Sequence, residues 1–255
     1  MEVFSNYAHY YDLLYQDKNY LGEAQFIEKI LQTYAPNACE LLELGCGTGA
    51  HAVLLAKQGY QIHGVDLSAE MLRRADSRLS QLSPDLKSSL KFTQGDIRQI
   101  RLNQTFDAVL SLFHVISYQT TNEDLLAAFA TVKEHLKPGG IFIFDVWYGP
   151  AVLRDLPTVR VKRLEDNQIS ITRIAEPTIY PNENLVDVNY HIFIQDKSSD
   201  VIKQLRETHR MRYLFKPEIE FLLKELHMEL ITYKEWMSEQ EAGFNTWGTF
   251  FVARV

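Results

Sequence analysis

A glycine-rich turn between a buried strand and a helix constrains the fold of this chain more than any other stretch. Residues 41–44 are an apolar run that predicts a short buried strand, and residues 50–57 have a helical pattern. Between them, Gly45, Gly47 and Gly49 lack the Cβ atoms that would keep a ligand away from the backbone. The helix that follows presents unpaired N–H groups and the positive end of its dipole. The stretch therefore predicts a ligand bound against a strand-to-helix turn.

Two other interpretations of this turn stay open at this point. A tight turn without a ligand would need one glycine rather than three. A nicotinamide dinucleotide site is the stronger alternative, because Gly45, Gly47 and Ala50 also fit the spacing of the dinucleotide fingerprint. The turn alone does not separate these ligands, so the rest of the chain has to decide.

The first 150 residues alternate apolar runs with helical patterns. Gly59 is placed to end the first helix of this series, and Ser68 is placed to cap the second. Strands that alternate with helices predict an α/β fold with a parallel, doubly wound sheet. The predicted strands are residues 41–44, 61–65, 90–93, 106–112 and 141–146, and the predicted helices between them include residues 69–79 and 122–136.

The pattern changes after Pro157, where apolar and polar residues alternate over four segments that turn sequences separate. This alternation predicts antiparallel hairpins over residues 159–164, 169–176, 185–194 and 201–213. A helix opened by Pro217 and two strands, residues 228–236 and 249–255, are expected to rejoin the main sheet. The predicted parts are a tyrosine-rich N-terminal helical lid (1–36), a core (37–157 and 214–255) and an antiparallel insertion (158–213).

Composition and charge argue against several kinds of partner. The formal net charge is -7 and no long basic run is present, which argues against nucleic acid and anionic membranes. No apolar stretch approaches the ~20 residues that span a bilayer, and no apolar signal segment follows Met1, so a cytoplasmic location is expected. His191 and His209 could meet across the inserted sheet, but no Cys/His spacing is typical of a metal site and no metal is expected.

Two aspartates follow predicted strands of the sheet. Asp66 lies roughly twenty residues beyond the glycine turn, where an acidic side chain can accept both hydroxyls of a ribose. Asp96 could accept the exocyclic amine of adenine, while Ile97 offers a backbone N–H. A helix-capping carboxylate beside Ser68 and a turn aspartate are the alternatives. Because the carboxyl ends of parallel strands meet at one edge, both residues are expected to face one ligand.

Five motifs in chain order resemble those of the class I S-adenosylmethionine-dependent methyltransferases. They are residues 43–49, 65–72, 95–97, 106–109 and 136–140. Glu43, two residues before the first glycine, fits this family better than it fits a dehydrogenase. The resemblance implies a Rossmann-like sheet of seven mostly parallel strands with the last strand antiparallel. It also implies S-adenosyl-L-methionine as cofactor and S-adenosyl-L-homocysteine as product.

The same resemblance implies which residues contact the cofactor. The glycine turn would approach the methionine and ribose moieties, Asp66 would hold the ribose diol, and Asp96 and Ile97 would bind the adenine edge. Residues after the fourth strand would face the sulfonium. The full implied set is Tyr11, Tyr20, Glu43, Gly45, Cys46, Gly47, Gly49, Asp66, Leu67, Met71, Gly95, Asp96, Ile97, Leu112, Phe113 and His114.

A closer resemblance is to small-molecule methyltransferases, including the N-methyltransferases of nucleotide-linked amino sugars. It rests on residues 11–13, 17–20, 145–148 and 248–251, and it implies that N-terminal tyrosines close over the cofactor while Tyr20 binds its carboxylate. The chain departs from those sugar enzymes at Tyr118, near their histidine, and at Trp247, where they have an arginine. Loss of that arginine argues against a diphosphate-bearing acceptor, and Trp147 with Trp247 suggests a flatter or less charged one.

Methyl transfer from a sulfonium is an in-line displacement that mainly requires a close, aligned and dry acceptor. An amine acceptor needs only to be neutral, whereas a hydroxyl acceptor would want a base. His114 is the best candidate base, Tyr118 could orient the acceptor or take its proton through water, and Asp145 could bind an acceptor ammonium. The candidate catalytic residues are His114, Tyr118, Tyr7, Asp145, Trp147 and Trp247, with packing roles as the alternative for His114 and Tyr118.

The predicted function is therefore transfer of a methyl group from S-adenosyl-L-methionine to a nitrogen or oxygen of a small-molecule acceptor. A nicotinamide-dependent oxidoreductase and a catalytically silent cofactor-binding protein are the alternatives. Acceptor specificity depends on loops, which follow few readable rules, so the acceptor stays open. It also stays open whether the hairpins pair two chains into a homodimer.

Overall fold

Five parallel strands form the centre of the fold in the computed structural model, which describes Tyr11 and residues 13–255. They are β1 (Glu40–Leu44), β2 (Gln61–Asp66), β3 (Leu90–Gln94), β4 (Phe106–Ser111) and β5 (Leu136–Tyr148). Their order across the sheet is β3-β2-β1-β4-β5, and each neighbouring pair is parallel. The strand order reverses between β1 and β4, which opens a crevice at the carboxyl ends of these strands.

Strand β5 is longer than the predicted residues 141–146. The Lys137 to Gly140 segment was expected to separate helix from strand, but it already belongs to β5, whose Leu136 pairs with Phe106 of β4. The pairing shifts register between Phe106 and Ala108, so the segment fits into the sheet as an irregularity.

Two further strands extend the sheet beyond β5. Strand β11 (Gly248–Arg254) pairs antiparallel with β5, and β10 (Glu229–Glu235) pairs antiparallel with β11. The prediction that the C-terminal strands rejoin the main sheet is therefore confirmed, and the core is a mostly parallel sheet with antiparallel strands at one side.

Helices cover both faces of this sheet. They are α1 (Tyr20–Tyr34), α2 (Ala50–Lys57), α3 (Ala69–Ser80), α4 (Pro84–Ser88), α5 (Asn122–His135), α6 (Gly149–Arg154) and α7 (Lys216–Glu225). Alternate residues of β5 enter opposite cores, with Phe142 and Phe144 on the side of α5 and α7 and Ile141 and Ile143 on the side of α1 and α2. As predicted, Ser68 caps α3 by accepting the backbone N–H of Met71.

The segment after Pro157 forms an antiparallel sheet. Its strands are β6 (Arg160–Glu165), β7 (Ile169–Tyr180), β8 (Leu185–Asp196) and β9 (Ile202–Leu214), paired in that order. Strand β7 continues past the predicted end at Glu176, through Pro177. Pro177 is tolerated because β6 pairs with β7 only as far as Ala175, so Pro177 has β8 as its neighbour.

The inserted sheet is hydrogen-bonded to the core sheet. Tyr213 and Leu214 of β9 pair in parallel with Trp147 and Tyr148 at the end of β5. This junction brings one face of the inserted sheet over the carboxyl ends of the core strands. Within the part of the chain that the structure describes, no helix has the length and apolarity needed to cross a membrane.

Candidate active site

The carboxyl ends of the parallel strands and one face of the inserted sheet enclose a cavity of about 690 Å³. Residues that follow β1, β2, β3 and β4 line one end of it, and side chains of β8 and β9 line the other. This is the crevice that the topology of an open α/β sheet makes available to a ligand.

Most of the predicted site residues line this cavity. Of the implied cofactor set these are Tyr11, Tyr20, Gly45, Cys46, Gly47, Asp66, Leu67, Met71, Asp96, Ile97, Leu112, Phe113 and His114. The remaining three residues of this set, Glu43, Gly49 and Gly95, do not line the cavity. Of the candidate catalytic residues, His114, Tyr118 and Trp147 line the cavity, whereas Asp145 and Trp247 support it from behind and Tyr7 lies outside the described residues.

The glycine turn has the backbone that only glycine adopts easily. Gly45 and Gly47 have φ values of 79° and 54°, in the left-handed region. A Cβ at Gly45 would lie 2.5 Å from the Val115 side chain, whereas a Cβ at Gly47 would meet open space. The turn is therefore both conformationally demanding and open toward the cavity at Gly47.

Asp66 at the end of β2 is locked onto the glycine turn. Its two carboxylate oxygens accept the backbone N–H groups of Gly47 at 2.8 Å and of Ser68 at 2.9 Å. Burial raises the pKa of Asp66, and these two hydrogen bonds act in the opposite direction. The carboxylate is thus held in one orientation beside the turn, where the sequence places the group that would hold a ribose diol.

Asp96 faces the same cavity but is not isolated there. Nε of Arg98 donates to both carboxylate oxygens of Asp96, at 2.9 and 3.1 Å. Nη1 of Arg98 also donates to Asp124 at 2.7 Å. The hydrogen bond from Arg98 lowers the pKa of Asp96 and keeps it ionised. Arg98 lines the cavity as well and was missed by the sequence analysis, although it lies only two residues beyond Asp96.

A buried chain of titratable groups connects α1 with the glycine turn. Lys18 pairs with Glu23, whose Oε2 lies 2.7 Å from Nε2 of His51, and His51 Nδ1 lies 3.7 Å from Glu43 Oε1. Burial would raise the pKa of Glu23, but hydrogen bonds from His51 and Lys18 outweigh it and lower the pKa to about 2. Burial, with the nearby charge of Asp66, raises the pKa of Glu43 to about 8.

His114 is held by Asp145 at the end of β5. The backbone N–H of His114 donates to both carboxylate oxygens at 3.2 Å, and its Nδ1 lies 2.7 Å from Oδ2 without the alignment of a hydrogen bond. Phe113 and His114 both have positive φ values, of 64° and 62°. Such a backbone is costly for two consecutive non-glycine residues, and strained positions concentrate at functional sites. Asp145, 1% exposed, thus orients His114 instead of facing the cavity as an ammonium-binding group.

Aromatic groups and a histidine form the other end of the cavity. The hydroxyl of Tyr118 lies 2.8 Å from Nδ1 of His209 on β9, and the Tyr190 ring meets His209 edge to face at 4.9 Å. Trp147 lines this end, with Trp247 packed against it at 5.8 Å and hydrogen-bonded to Asp155. His209 and Tyr190 were not predicted as site residues, because no sequence pattern shows which face of an inserted strand a distant core covers.

Among the described residues, no group of three or more His, Cys, Asp and Glu side chains is arranged to hold a metal ion. The carboxylates of Asp66 and Asp96 instead accept hydrogen bonds from backbone N–H groups and from Arg98, and His209 is paired with Tyr118 and Glu207. The arrangement is that of an organic ligand site with an acidic end at the glycine turn and an aromatic end at the inserted sheet.

Comparison with known proteins matches residues 41–140 to a family described as methyltransferase domain. Over these residues the chain is similar to methyltransferases. It is 38% identical over 152 residues to the dTDP-3-amino-3,4,6-trideoxy-alpha-D-glucopyranose N,N-dimethyltransferase of Streptomyces venezuelae, an alignment of 59% of this chain and 61% of that enzyme. It therefore matches less than two thirds of this relative's length.

Two further comparisons extend over nearly the whole chain. The putative methyltransferase YqeM of Bacillus subtilis (strain 168) is 28% identical, with 99% of this chain and 97% of YqeM aligned. The crystal structure of an S-adenosylmethionine-dependent methyltransferase from Clostridium acetobutylicum ATCC 824 shares the fold with a TM-score of 0.81. It is 24% identical, with 99% and 98% of the two chains covered. These similarities support the predicted enzyme class and do not favour the nicotinamide-dependent oxidoreductase.

The residues present fit an S-adenosylmethionine cofactor. Gly47 leaves open space where a side chain would otherwise stand, and Asp66 is fixed beside it. Within the described residues, Oε2 of Glu43 is buried without a hydrogen-bond partner. A buried acidic oxygen next to the turn suits a cationic ligand group, because an unpaired polar group otherwise costs free energy.

Proposed function

We propose that this methyltransferase transfers a methyl group from S-adenosyl-L-methionine to the nitrogen of a small amine of the amino-sugar type. The observation that carries the proposal is that the cofactor residues and an aromatic acceptor chamber share one cavity of about 690 Å³. The name of the Streptomyces relative, a dimethyltransferase of a nucleotide-linked amino sugar, supports the choice of acceptor class.

Each part of the chain has a proposed task in this reaction. Residues 37–157 and 214–255 form the cofactor-binding core, whose sheet contains the seven strands β1–β5, β10 and β11 among the described residues. Residues 158–213 supply the acceptor side. Residues 1–36 form a lid, a role supported by the Tyr15 ring, which packs on Tyr11 at 4.6 Å and on Phe113 at 5.2 Å over the cavity.

The cofactor residues divide by the part of the ligand that they suit. Asp66 would accept the ribose hydroxyls, and Asp96 with Ile97 would take the adenine edge between Leu67 and Met71. Glu43 and the glycine turn suit the methionine ammonium, while Tyr20 and the N-terminus of α2 suit its carboxylate. When bound, the cofactor supplies an electrophilic methyl group on a sulfonium whose leaving thioether needs no protonation.

The chain's own contribution to the reaction is alignment and exclusion of water. The part of the cavity between the cofactor and acceptor sides is lined by Trp147, Phe113 and His114. A dry, aligned site brings the acceptor lone pair in line with the methyl group, which accounts for much of the rate of such a displacement. Trp247, in the place of an arginine, favours an acceptor without a diphosphate group at this end.

Calorimetry and a labelled-methyl screen test the proposal. S-adenosylhomocysteine should bind, and NADH should not. Labelled methyl groups should then pass to amino sugars without a diphosphate group rather than to phenols or alcohols. Absence of affinity for S-adenosylhomocysteine would refute the function. Affinity without transfer to amines, phenols or alcohols would favour a silent cofactor-binding protein.

A further inference from the structure

Three side chains from two distant segments of the chain meet at the acceptor end of the cavity. Tyr118 ends the 3₁₀-helix Val115–Tyr118 after β4, and its hydroxyl lies 2.8 Å from Nδ1 of His209. The other ring nitrogen of His209 lies 3.2 Å from a carboxylate oxygen of Glu207. The inference below rests on the proposed function, because it assigns this chain of groups to the methyl acceptor.

The inserted sheet holds these groups rigidly. Glu207 and His209 are two residues apart on β9 and therefore point to the same face of the sheet. Their register partners on β8 are Tyr190 and Val188, which also line the cavity. His209 is 4% exposed, and the Glu207 side chain is 11% exposed, so packing limits the rotamers of both.

The chemistry of Glu207 sets the direction of the hydrogen bonds. An ionised carboxylate can only accept, so Nε2–H of His209 donates to Glu207. In a neutral imidazole, Nδ1 is then an acceptor, and the Tyr118 hydroxyl donates to it. The Tyr118 oxygen therefore acts as an acceptor toward a ligand in the cavity that its ring lines.

We propose that Tyr118, oriented by the positioning residues His209 and Glu207, accepts the proton that the methyl acceptor gives up during transfer. The acceptor is accordingly a group with at least one N–H or O–H bond, here a primary or secondary amine. The role that the sequence suggested for Tyr118 thereby gains two partners from the inserted sheet.

The proposed step balances in atoms and charge. The nitrogen lone pair forms the new N–C bond while the S–C electron pair leaves with the sulfur. The N–H proton passes to the Tyr118 oxygen, and the Tyr118 hydroxyl proton passes to Nδ1 of His209. The imidazolium that forms lies beside Glu207, and it returns its proton to water after the product leaves.

The surroundings of Tyr118 favour a relay, in which Tyr118 receives one proton while it passes its own to His209, over a phenolate that is present before the reaction. Burial, followed by the charges of Tyr190, Tyr15, Glu207 and Asp66, raises the pKa of Tyr118 well above its ordinary value. The guanidinium of Arg173 lies 5.0 Å from the Tyr190 ring. Tyr118 is therefore neutral before the reaction, and it passes a proton on only if His209 can take one.

The relay also limits the number of methyl groups transferred. A tertiary amine has no N–H to donate to the Tyr118 oxygen and is therefore not oriented by it, so transfer should slow sharply after the N,N-dimethyl product. A quaternary ammonium product formed at a rate comparable with the earlier steps would contradict the proposed role.

The tautomer of His209 provides a test that needs no acceptor. We expect ¹⁵N–¹H correlation spectra of the S-adenosylhomocysteine complex to show His209 protonated on Nε2 alone near neutral pH. In Tyr118→Phe, which keeps the ring, the Nδ1 resonance should move. A His209 that carries its proton on Nδ1, or on both nitrogens, would overturn the proposed direction of transfer.

Rates test the same chain of groups with the amine that the labelled-methyl screen selects. We expect Tyr118→Phe and His209→Gln to lower kcat by about 10²- to 10⁴-fold, the usual range for a lost proton transfer, with smaller changes in KM. Glu207→Gln should also lower kcat, because the imidazolium that forms then has no carboxylate beside it. S-adenosylhomocysteine affinity reports whether each variant is folded.

His191→Gln is the matched control. His191 belongs to the same sheet on the opposite face, where its Nδ1 lies 3.9 Å from Glu176, and its replacement should leave kcat unchanged. Unchanged kcat in Tyr118→Phe would refute the relay while leaving methyl transfer established. Absence of transfer to any acceptor by the unmodified protein would instead refute the proposed function, and the role of Tyr118 with it.

Discussion

Replacement of Glu43 by glutamine should stabilise the cofactor-free protein, and increasingly so as the pH rises. Glu43 is 1% exposed, and its Oε2 lacks a hydrogen-bond partner among the described residues. Burial, and secondarily the charge of Asp66, raises the pKa of Glu43 from 4.5 to about 8, against a lowering hydrogen bond from the Ala52 backbone. Glutamine has nearly the same shape but never ionises, so the substitution removes the free-energy cost of ionising the buried carboxyl.

The magnitude follows from the two pKa values. Between pH 4.5 and about 8 the folded protein holds a proton on Glu43 that the unfolded chain has released, so its stability falls as the pH rises through this window. Each pH unit costs about 1.4 kcal/mol, and the whole window corresponds to about 5 kcal/mol. Above the folded-state pKa the loss is complete, and the difference between the two proteins should level off.

Urea unfolding at a series of pH values from 5 to 9, followed by circular dichroism, measures this difference. The free energy of unfolding of Glu43→Gln minus that of the unmodified protein should be small at pH 5 and should grow steadily up to pH 8. Glu229→Gln, on the exposed surface of β10, is the matched control and should give a flat difference. A difference for Glu43→Gln that does not depend on pH would refute the assignment of a buried, protonated carboxyl.

Three other predictions concern Asp66 and Gly45 of the site and the buried His63 of β2. Asp66→Asn should weaken S-adenosylhomocysteine binding by about 10- to 100-fold in calorimetry, because hydrogen bonds to a charged group are worth about 1.5–3 kcal/mol. Unchanged affinity would contradict the role of Asp66. Gly45→Ala should lower stability by about 1–3 kcal/mol, from its positive φ, or by more, because its Cβ would meet Val115. Thermal unfolding measures this loss. Gly243→Ala is the control, because a Cβ at Gly243 would meet open space. Burial lowers the pKa of His63 from 6.5 to about 4, so stability should fall as the pH drops through this window. That acid sensitivity should shrink in His63→Asn, and an unchanged profile of melting temperature against pH would contradict it.

What could be predicted from the sequence follows from local rules. A strand that ends in glycines and an acidic residue at the next strand end place Gly47 and Asp66 together, because parallel strands share one carboxyl edge. The Asp96 position was predicted for the same reason, but its pairing with Arg98 was not. Strand β5 was predicted too short, since proline and glycines usually mark turns, and only the register with β4 shows that they lie within a strand.

The acceptor end could not be predicted by such local rules, because its side chains come from distant segments that are brought together only by strand pairing in the folded protein. Tyr118 and His209 are 91 positions apart, and they meet because β9 joins the core through Tyr213 and Leu214 at the end of β5. Side chains alternate between the two faces of a strand, so a slip of one residue in this pairing would turn His209 away from the cavity. The cofactor end would stay intact, since its residues follow β1–β4 or precede β1. Acceptor chemistry can therefore change in this fold through the inserted sheet while cofactor binding is retained.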